Sequence, residues 1–492
     1  MTDAVKEFDV AALLARLGAH PHRITADSRR VEPGVAFAAY PGGTVDGRSF
    51  VPDAVARGAA AVLWESRGWQ WDAALATPNA GVEGLQQRVG FIADFIYGSA
   101  TRKLWMIGVT GTNGKTSSAH WIAQALDACG TRTAVVGTIG NGLVGATAPA
   151  THTTPDAALL HELLAQFLAA GARAVAMEVS SHGLDQGRVN GATFDVALFT
   201  NLTRDHLDYH KTMAAYGAAK AKLFAWPGLK TAVINADDLF GRSLVDIARG
   251  RGQNVLTYGL GSADIVALPL SVDRRGFVLD VTTPWGRATV RSGLVGAFNA
   301  QNLLGVLGVL LASDVPLARA VEAIGMLQPP AGRMQRFGGD RRPLVVVDYA
   351  HTPDALEKVL VALRPAVADG SELVCVFGCG GDRDPGKRPQ MGAVAAAHAD
   401  RVVVTSDNPR SEDPLAIAQA VVKGVRDAGH RRWTVEVDRR AAIAAAVAGA
   451  AMGDVVLVAG KGHETYQEVS GERRSFSDAH EAQVALAAWS DA

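Results

Sequence analysis

The chain has 492 residues, 48% of them apolar, and a formal net charge of -1, which is enough for about two to four domains with sizeable cores. So balanced a charge gives no case for nucleic-acid binding or a charged membrane surface, and no run approaches the ~20 uninterrupted apolar residues that span a bilayer. The opening residues Met1-Thr2-Asp3-Ala4-Val5-Lys6-Glu7 lack the basic-then-apolar pattern of a secretion signal, so a cytoplasmic chain, acting as a monomer on small molecules, is expected.

Taken in chain order, residues 1–98 hold the strand-like runs 35–40 and 60–64, with Pro41-Gly42-Gly43 and Asp46-Gly47 as turn signals; they predict a small α/β domain. Next comes the apolar run 104–109, then Gly111-Thr112-Asn113-Gly114-Lys115-Thr116, then the helix-like stretch 117–129. Residues of these types make a loop that holds nucleotide phosphates. Glycines let N–H groups crowd onto an anion, the helix N-terminus adds a partial positive charge, Lys115 adds a full one, and Thr116 offers a hydroxyl to Mg2+. The usual spacing asks for glycine where Val109 stands, with Gly108 and Gly111 nearby, so the loop is a variant. An ATP- or GTP-using enzyme is the leading expectation, against an ordinary capping turn.

The runs 134–136, 174–177, 196–199 and 231–234 read as buried parallel strands whose C-terminal ends present chemistry. A third unit begins near Gly332, where the runs 344–347, 373–377, 401–405, 433–437 and 455–458 alternate with Ala-rich helical stretches and predict a doubly wound sheet. Gly378-Cys379-Gly380-Gly381 suggests a dinucleotide fingerprint, but Arg383 stands where its last glycine belongs, and that reading is rejected. Three cysteines, Cys129, Cys375 and Cys379, are too few and too scattered for a disulfide framework or a four-ligand zinc site, so reduced thiols are expected.

Further strings accompany the phosphate loop: Thr153-Thr154-Pro155, Glu178-Val179-Ser180-Ser181-His182-Gly183-Leu184, Asn201-Leu202-Thr203-Arg204-Asp205-His206-Leu207-Asp208, Asn299-Ala300-Gln301-Asn302, Gly332-Arg333, Asp348-Tyr349-Ala350-His351-Thr352-Pro353 and Gly460-Lys461-Gly462-His463-Glu464. In this order and spacing they resemble the Mur ligases, the ATP-dependent amide-forming enzymes of peptidoglycan precursor synthesis, over almost the whole chain. The chemistry asks for such residues in its own right. ATP activates a carboxylate as an acyl phosphate, two anions must approach each other, and Mg2+ with basic side chains offsets their repulsion. Glu178 and His206, at or after strand ends, suit a hard cation together with Thr116; a solvated glutamate and a structural histidine form the competing reading.

The resemblance implies a catalytic set of Lys115, Glu178, His206 and Lys220. At the position of Lys220 the family carries a carbamylated lysine (N6-carboxylysine) that supports a second Mg2+. Taken alone, Lys220 is an exposed helical lysine and Lys222 a rival. ATP would be held by Gly111, Thr112, Asn113, Gly114, Lys115 and Thr116, with Asn299 on the adenine side and Arg333, Asp348 and His351 reaching in from the third domain as a cleft closes. A plain Asp348–Arg333 salt bridge stays open. The implied domains are 1–98 for UDP, 99–332 for ATP and 333–492 for the amino acid.

Asp27-Ser28-Arg29-Arg30-Val31-Glu32-Pro33-Gly34 resembles the family's uridine-nucleotide domain. It implies that Ser28, Pro41, Gly42, Gly43 and Asp46 contact UDP, and that Thr153, Thr154, Ser180, Gln186 and Arg188 contact the muramoyl dipeptide. Asp407-Asn408-Pro409-Arg410 resembles the branch that uses meso-diaminopimelate, with Arg383, Gly460 and Glu464 as further contacts. Diaminopimelate differs from lysine by a second carboxylate, which a planar guanidinium pairs through two parallel hydrogen bonds. Arg410 left unpaired would penalise lysine, whereas a turn followed by a surface arginine is the plainer reading. Rival functions are another Mur ligase or a folylpolyglutamate synthase-like enzyme, a nucleotide-switched binding protein without turnover, and a phosphotransferase.

Overall fold

The computed structural model describes residues 8–43, 45–273 and 276–490. The opening residues 1–7 and Thr44 of the loop 41–46 lie outside the described residues. The chain falls into two compact units. One holds Met1–Val266, Thr283–Trp285 and Leu304–Ala323, the other Ala267–Thr282, Gly286–Leu303 and Ile324–Ala492.

The first unit opens with a four-stranded parallel sheet, β1 (Arg23–Thr25), β2 (Val35–Ala39), β3 (Ala61–Glu65) and β4 (Asn79–Val82), in that spatial order. Alternate residues of β2 and β3 supply two cores. Ala36, Ala38 and Leu63 pack under the helices Val10–Leu17 and Leu85–Ile96, while Phe37, Ala39 and Val62 pack with Val51, Ala54 and the Trp64, Trp69 and Trp71 rings.

The same unit holds β5 (Trp105–Thr110), β6 (Thr133–Val136), β7 (Asn141–Leu143), β8 (Ala146–Ala148), β9 (Ala174–Glu178), β10 (Val196–Phe199), β11 (Thr231–Asn235) and β12 (Asn254–Gly259), in the order β12-β11-β10-β5-β9-β6-β7-β8. From β12 to β6 the pairing is parallel, and β7 and β8 are added antiparallel. The chain passes from β5 to β6 and β9 on one side and then to β10 on the other. Strand order therefore reverses at β5, and the crevice beyond its C-terminal end is where such sheets bind ligands. β9 and β10 are buried throughout, which fits their uninterrupted apolar runs.

In the second unit β13 (Ile265–Asp273), whose first two residues belong to the first unit, is followed by β14 (Gly276–Thr283) and β15 (Gly286–Ser292). A six-stranded sheet is then built from β16 (Gln335–Gly338), β17 (Leu344–Asp348), β18 (Leu373–Phe377), β19 (Arg401–Val404), β20 (Trp433–Val435) and β21 (Val455–Ala459), in the order β16-β17-β21-β18-β19-β20. Five strands are parallel and β16 is antiparallel at the edge. Both faces are covered, as a doubly wound sheet requires. Cys375, Phe377 and Leu457 face a core with the helices Pro353–Leu363, Lys387–His398 and Pro414–Asp427, while Val374, Val376 and Val456 face one with Arg439–Ala448 and Asp478–Ala488. A short hairpin of β22 (Tyr466–Val469) and β23 (Glu472–Ser475) follows β21. No helix among the described residues is long and apolar enough to cross a membrane. All three cysteines are free thiols, Cys375 and Cys379 buried and Cys129 half-buried.

Candidate active site

The phosphate-type loop links β5 to the helix Lys115–Ala128, which begins at Gly114 (φ 84) with no capping side chain. Its first-turn N–H groups are thus suited to an anion. Gly111 has φ 151, and a Cβ there would run into Thr200 Oγ1, so the variant spacing still puts glycine where backbones touch. The loop is stitched to the end of β10. Thr112 N donates to Asn201 O at 2.8 Å, Asn113 N to Asn201 Oδ1 at 2.9 Å, and Thr200 Oγ1 to Asn113 O at 2.6 Å.

Two lysines converge on this loop. Lys115 Nζ donates to Gly111 O at 2.9 Å and to Thr112 O at 2.8 Å, while Lys220 Nζ donates to the same Gly111 O at 2.6 Å. Lys220 sits on the helix Met213–Phe224, one turn after Tyr216, and its ammonium lies 4.5 Å from that ring's centroid. It is not the exposed lysine its sequence context alone suggested: only 1% of it is accessible, whereas the rival Lys222 pairs at 2.8 Å with Asp185 and is half exposed. Burial, and then the Lys115 ammonium, push the Lys220 pKa well below the ordinary lysine range, with Asp205 opposing.

Glu178 ends β9 fully buried. Its carboxylate accepts Thr116 Oγ1 at 2.9 Å, Thr138 N at 2.7 Å and Thr138 Oγ1 at 3.3 Å. Of the three expected metal ligands the structure thus brings Thr116 and Glu178 together. His206 (φ 52) lies at the surface beside Asp205, Nε2 to Oδ2 3.4 Å, with its ring against His182 and Tyr216 at centroid distances of 4.8 and 6.0 Å. Among the described residues no group of three or more His, Cys, Asp or Glu is arranged to hold a metal. Two buried oxygens still fit Mg2+, which keeps several waters and takes its other ligands from phosphates.

The residues expected around the muramoyl dipeptide form one network. Thr153 Oγ1 lies 2.9 Å from Thr138 Oγ1, and Thr154 Oγ1 donates to Glu178 O at 2.9 Å. Ser180 caps the helix Ser181–Asp185 by accepting Gly183 N at 3.0 Å and shares a hydrogen bond with Thr154. Arg188 donates to Thr154 O at 2.9 Å and to Gln186 Oε1 through two nitrogens at 2.9 and 2.7 Å. In the four-stranded sheet's domain Ser28 is buried in a short 3-10 turn, and Pro41 and Asp46 bridge across a tight loop with Gly42 and Gly43 exposed at its tip.

Within the second unit Asn299 is 2% exposed, with Nδ2 donating to Val295 O at 2.8 Å. Asp348 ends β17, and its carboxylate accepts Met334 N at 2.8 Å and Ala350 N at 2.9 Å. Burial raises its pKa, with Arg333 and those two N–H groups opposing. The Arg333 guanidinium stacks 4.9 Å from the Tyr349 ring centroid, and His351 Nδ1 lies 2.8 Å from Tyr349 O.

The expected acceptor contacts gather at the C-terminal ends of β18, β19 and β21. Asn408 accepts Lys461 Nζ at 2.9 Å and Glu468 N at 2.9 Å on Oδ1, and donates through Nδ2 to Glu464 Oε2 at 2.8 Å. Lys461, fully buried, also pairs with Glu464 at 2.8 Å. Arg410 adopts φ 52 and donates from Nη1 to Gly381 O at 2.7 Å, while its backbone pairs with Val469. Its Nε and Nη2 make no hydrogen bond to a described residue. Gly381 packs on Pro409 O so closely that a side chain there would collide, and Arg383 is exposed. Asp407 is 8% exposed, and burial raises its pKa against Arg439 and Lys461. No helix starts until Lys387, so the glycines 378–381 serve this cluster rather than a dinucleotide turn.

Residues 20–100, 109–310 and 332–462 match family models described as Mur ligase family, catalytic domain; Mur ligase middle domain; and Mur ligase, glutamate ligase domain. The chain is 54% identical over 479 residues to the UDP-N-acetylmuramoyl-L-alanyl-D-glutamate--2,6-diaminopimelate ligase of Chromobacterium violaceum, covering 97% of each. It is 52% identical to the protein of that name from Pseudomonas aeruginosa, covering 95% of each. The chain belongs to the Mur ligase family. A solved structure of a UDP-N-acetylmuramoyl-L-alanyl-D-glutamate--2,6-diaminopimelate ligase matches with a TM-score of 0.71 at 40% identity over 95% of both chains. The MurF ligase of Thermotoga maritima in complex with ADP, at 20% identity over 93% of this chain and 95% of its own, shares the fold with a TM-score of 0.61. Three side chains of this Mur ligase were given no role in the sequence reading: Thr138 against Glu178, Tyr216 beneath Lys220, and Lys461 between Asn408 and Glu464. Lys461 lies inside one of the strings that carry the resemblance and Tyr216 opens the stretch 216–220 that leads to Lys220; Thr138 acquires its place through folding alone.

Proposed function

We propose that this Mur ligase joins meso-diaminopimelate to the D-glutamate side-chain carboxylate of UDP-N-acetylmuramoyl-L-alanyl-D-glutamate at the expense of ATP, in peptidoglycan precursor synthesis in the cytoplasm, one chain being the working unit. The observation that carries the reading is 54% identity, over 97% of both chains, to a relative bearing that ligase's name. The working parts are residues 1–98 for UDP, 99–332 for ATP and 333–492 for the amino acid.

In this reading the loop N–H groups and Lys115 hold the ATP phosphates. Thr116 and Glu178 would hold Mg2+, with His206 as a further ligand, and the ion would supply positive charge where the γ-phosphate meets the substrate carboxylate. Lys115 must leave Gly111 O and Thr112 O to reach a phosphate. Lys220, whose pKa burial and the neighbouring Lys115 ammonium hold well below the ordinary lysine range, is a suitable amine for CO2: in its neutral form the nitrogen forms the N–C bond, one proton is released, and a carbamate results. Thr153, Thr154, Ser180, Gln186 and Arg188 orient the dipeptide, and Ser28 with the loop 41–46 takes the UDP. Asn299, Arg333, Asp348 and His351 serve the nucleotide. Arg410 takes the distal carboxylate of diaminopimelate, Glu464 and Asp407 its ammonium, with Arg383, Asn408, Pro409 and Gly460 shaping the rest. The substrate carboxylate takes the γ-phosphoryl group as ADP leaves, the neutral amine attacks the resulting acyl phosphate, and the tetrahedral intermediate expels phosphate while the nitrogen gives up a proton.

The test is phosphate release from ATP with the UDP-muramoyl dipeptide and either meso-diaminopimelate or lysine. Release is expected to depend on the dipeptide and strongly on diaminopimelate. Release indifferent to the amine would sink the ligase reading, and equal rates with lysine would sink the specificity.

A further inference from the structure

The acceptor loops after β19 and β21 have to act together, yet β18 lies between those two strands in the sheet, so no ladder joins them directly. Arg439 does. It is the first residue of the helix Arg439–Ala448 and only 1% exposed. Nη1 donates to Ser406 O at 3.1 Å and Nη2 to Ala459 O at 2.9 Å, the residues immediately before Asp407 and Gly460. The guanidinium is oriented from its other edge by Asp478, through Nε to Oδ1 at 2.7 Å and Nη2 to Oδ2 at 2.8 Å. A planar fork held on one side by a carboxylate and on the other by two carbonyls has little freedom to turn.

Further along the same loops, Lys461 Nζ repeats the link between Asn408 and Glu464. Counting these groups by charge, Asp407, Glu464 and Asp478 face Arg439 and Lys461, one carboxylate in excess. The Asp407 carboxylate accepts no hydrogen bond from a described residue, and Gly460 (φ 118) leaves it room, since a Cβ there would lie 2.7 Å from Oδ2. A ligand ammonium at this point would balance the cluster.

We propose that Arg439 is a positioning residue for the acceptor amino acid: by tying Ser406 to Ala459 it sets the spacing of the Asp407–Arg410 and Gly460–Glu464 loops, and so the selection of a long diamino acid over shorter or differently charged ones. The inference rests on the reading that these loops take the amine.

Steady-state constants for all three substrates, with thermal melting, test it on Arg439→Lys and Asp478→Asn; the second keeps the guanidinium but loosens its hold. Either variant is expected to raise KM for meso-diaminopimelate by about ten- to a hundredfold, the cost of misplacing groups by about an ångström. KM for ATP and for the UDP-muramoyl dipeptide should stay unchanged, and lysine should be rejected less sharply. Folded variants with a lowered Tm and an unaltered diaminopimelate KM, or with equal losses for every substrate, would make Arg439 a structural tie only. Asp407→Asn and Arg410→Met, measured alongside, separate the two layers. If these leave the diaminopimelate KM untouched, the amine-site reading itself falls, whatever Arg439 does.

Discussion

In the phosphate loop the groups offered to a ligand are largely backbone ones: a glycine packed against Thr200, an uncapped helix end, and a lysine that rests on the loop's own carbonyls. In the acceptor loops they are side chains, interlocked with buried charges. Backbone amides are the same in every sequence, so the first arrangement suits a substrate common to a whole family. Side chains can be exchanged one at a time, so the second suits the substrate that distinguishes its members. Loss of a phosphate-loop group should therefore slow every reaction of the enzyme, while loss of an acceptor-loop group should be felt by the amine alone.

Lys115→Ala gives the largest expected effect, a fall in kcat of at least about a hundredfold with the diaminopimelate KM unchanged. A matching rise in that KM would erase the contrast between the regions. Lys220→Ala is expected to cost about ten- to a hundredfold, as outer supports of a metal site do, and wild-type activity should respond to added bicarbonate. An active variant indifferent to bicarbonate would remove Lys220 from the machinery. Arg410→Met should cost about 2 kcal/mol or more, about thirtyfold, in kcat/KM for diaminopimelate, with ATP binding by titration unaffected.

Much of this division was legible beforehand. The parallel strands are dense in Val, Ile, Leu and Ala, so their apolar runs stood out. Most forecasts stopped at the last apolar residue, yet Glu178, Asn235 and Asp348 continue their strands, because ladder pairing such as Val109 with Glu178 or Asp348 with Ala459 takes no account of side-chain polarity. Strands β14 and β15 carry weaker, mixed patterns and were not anticipated. Arg439 and Asp478 escaped for another reason: in a sequence a buried charge looks like a surface one, and only the fold reveals that the two meet across 39 positions. The Asp348 carboxylate is bound by the backbone N–H groups of Met334 and Ala350, and the Arg333 guanidinium stacks on Tyr349 while its charge opposes the rise that burial gives the Asp348 pKa.

The smallest expected effect concerns pH. Burial raises the Glu464 pKa, but the charge and hydrogen bond of Lys461 and the hydrogen bond of Asn408 outweigh it, and the net shift is downward. A depressed carboxylate pKa contributes stability that is present above the ordinary glutamate value of about 4.3 and is lost as pH falls through the folded value. Lys461→Met removes the main offset, burial then prevails, and the diaminopimelate KM should begin to rise at a higher pH than in the wild type on a titration between about pH 4 and 8. Coincident profiles would show that Lys461 does not govern Glu464.

Arg439 and its counter-ion also order events during synthesis. The phosphate loop, Glu178 and Lys220 all lie in the first half of the polypeptide, and the unit that holds them is completed by Leu304–Ala323. The guanidinium that ties the acceptor loops waits for Asp478. On the ribosome the unit that carries the phosphate loop can therefore be complete before the guanidinium between the acceptor loops finds its counter-ion, and a product broken off ahead of that aspartate would lack the carboxylate that orients Arg439.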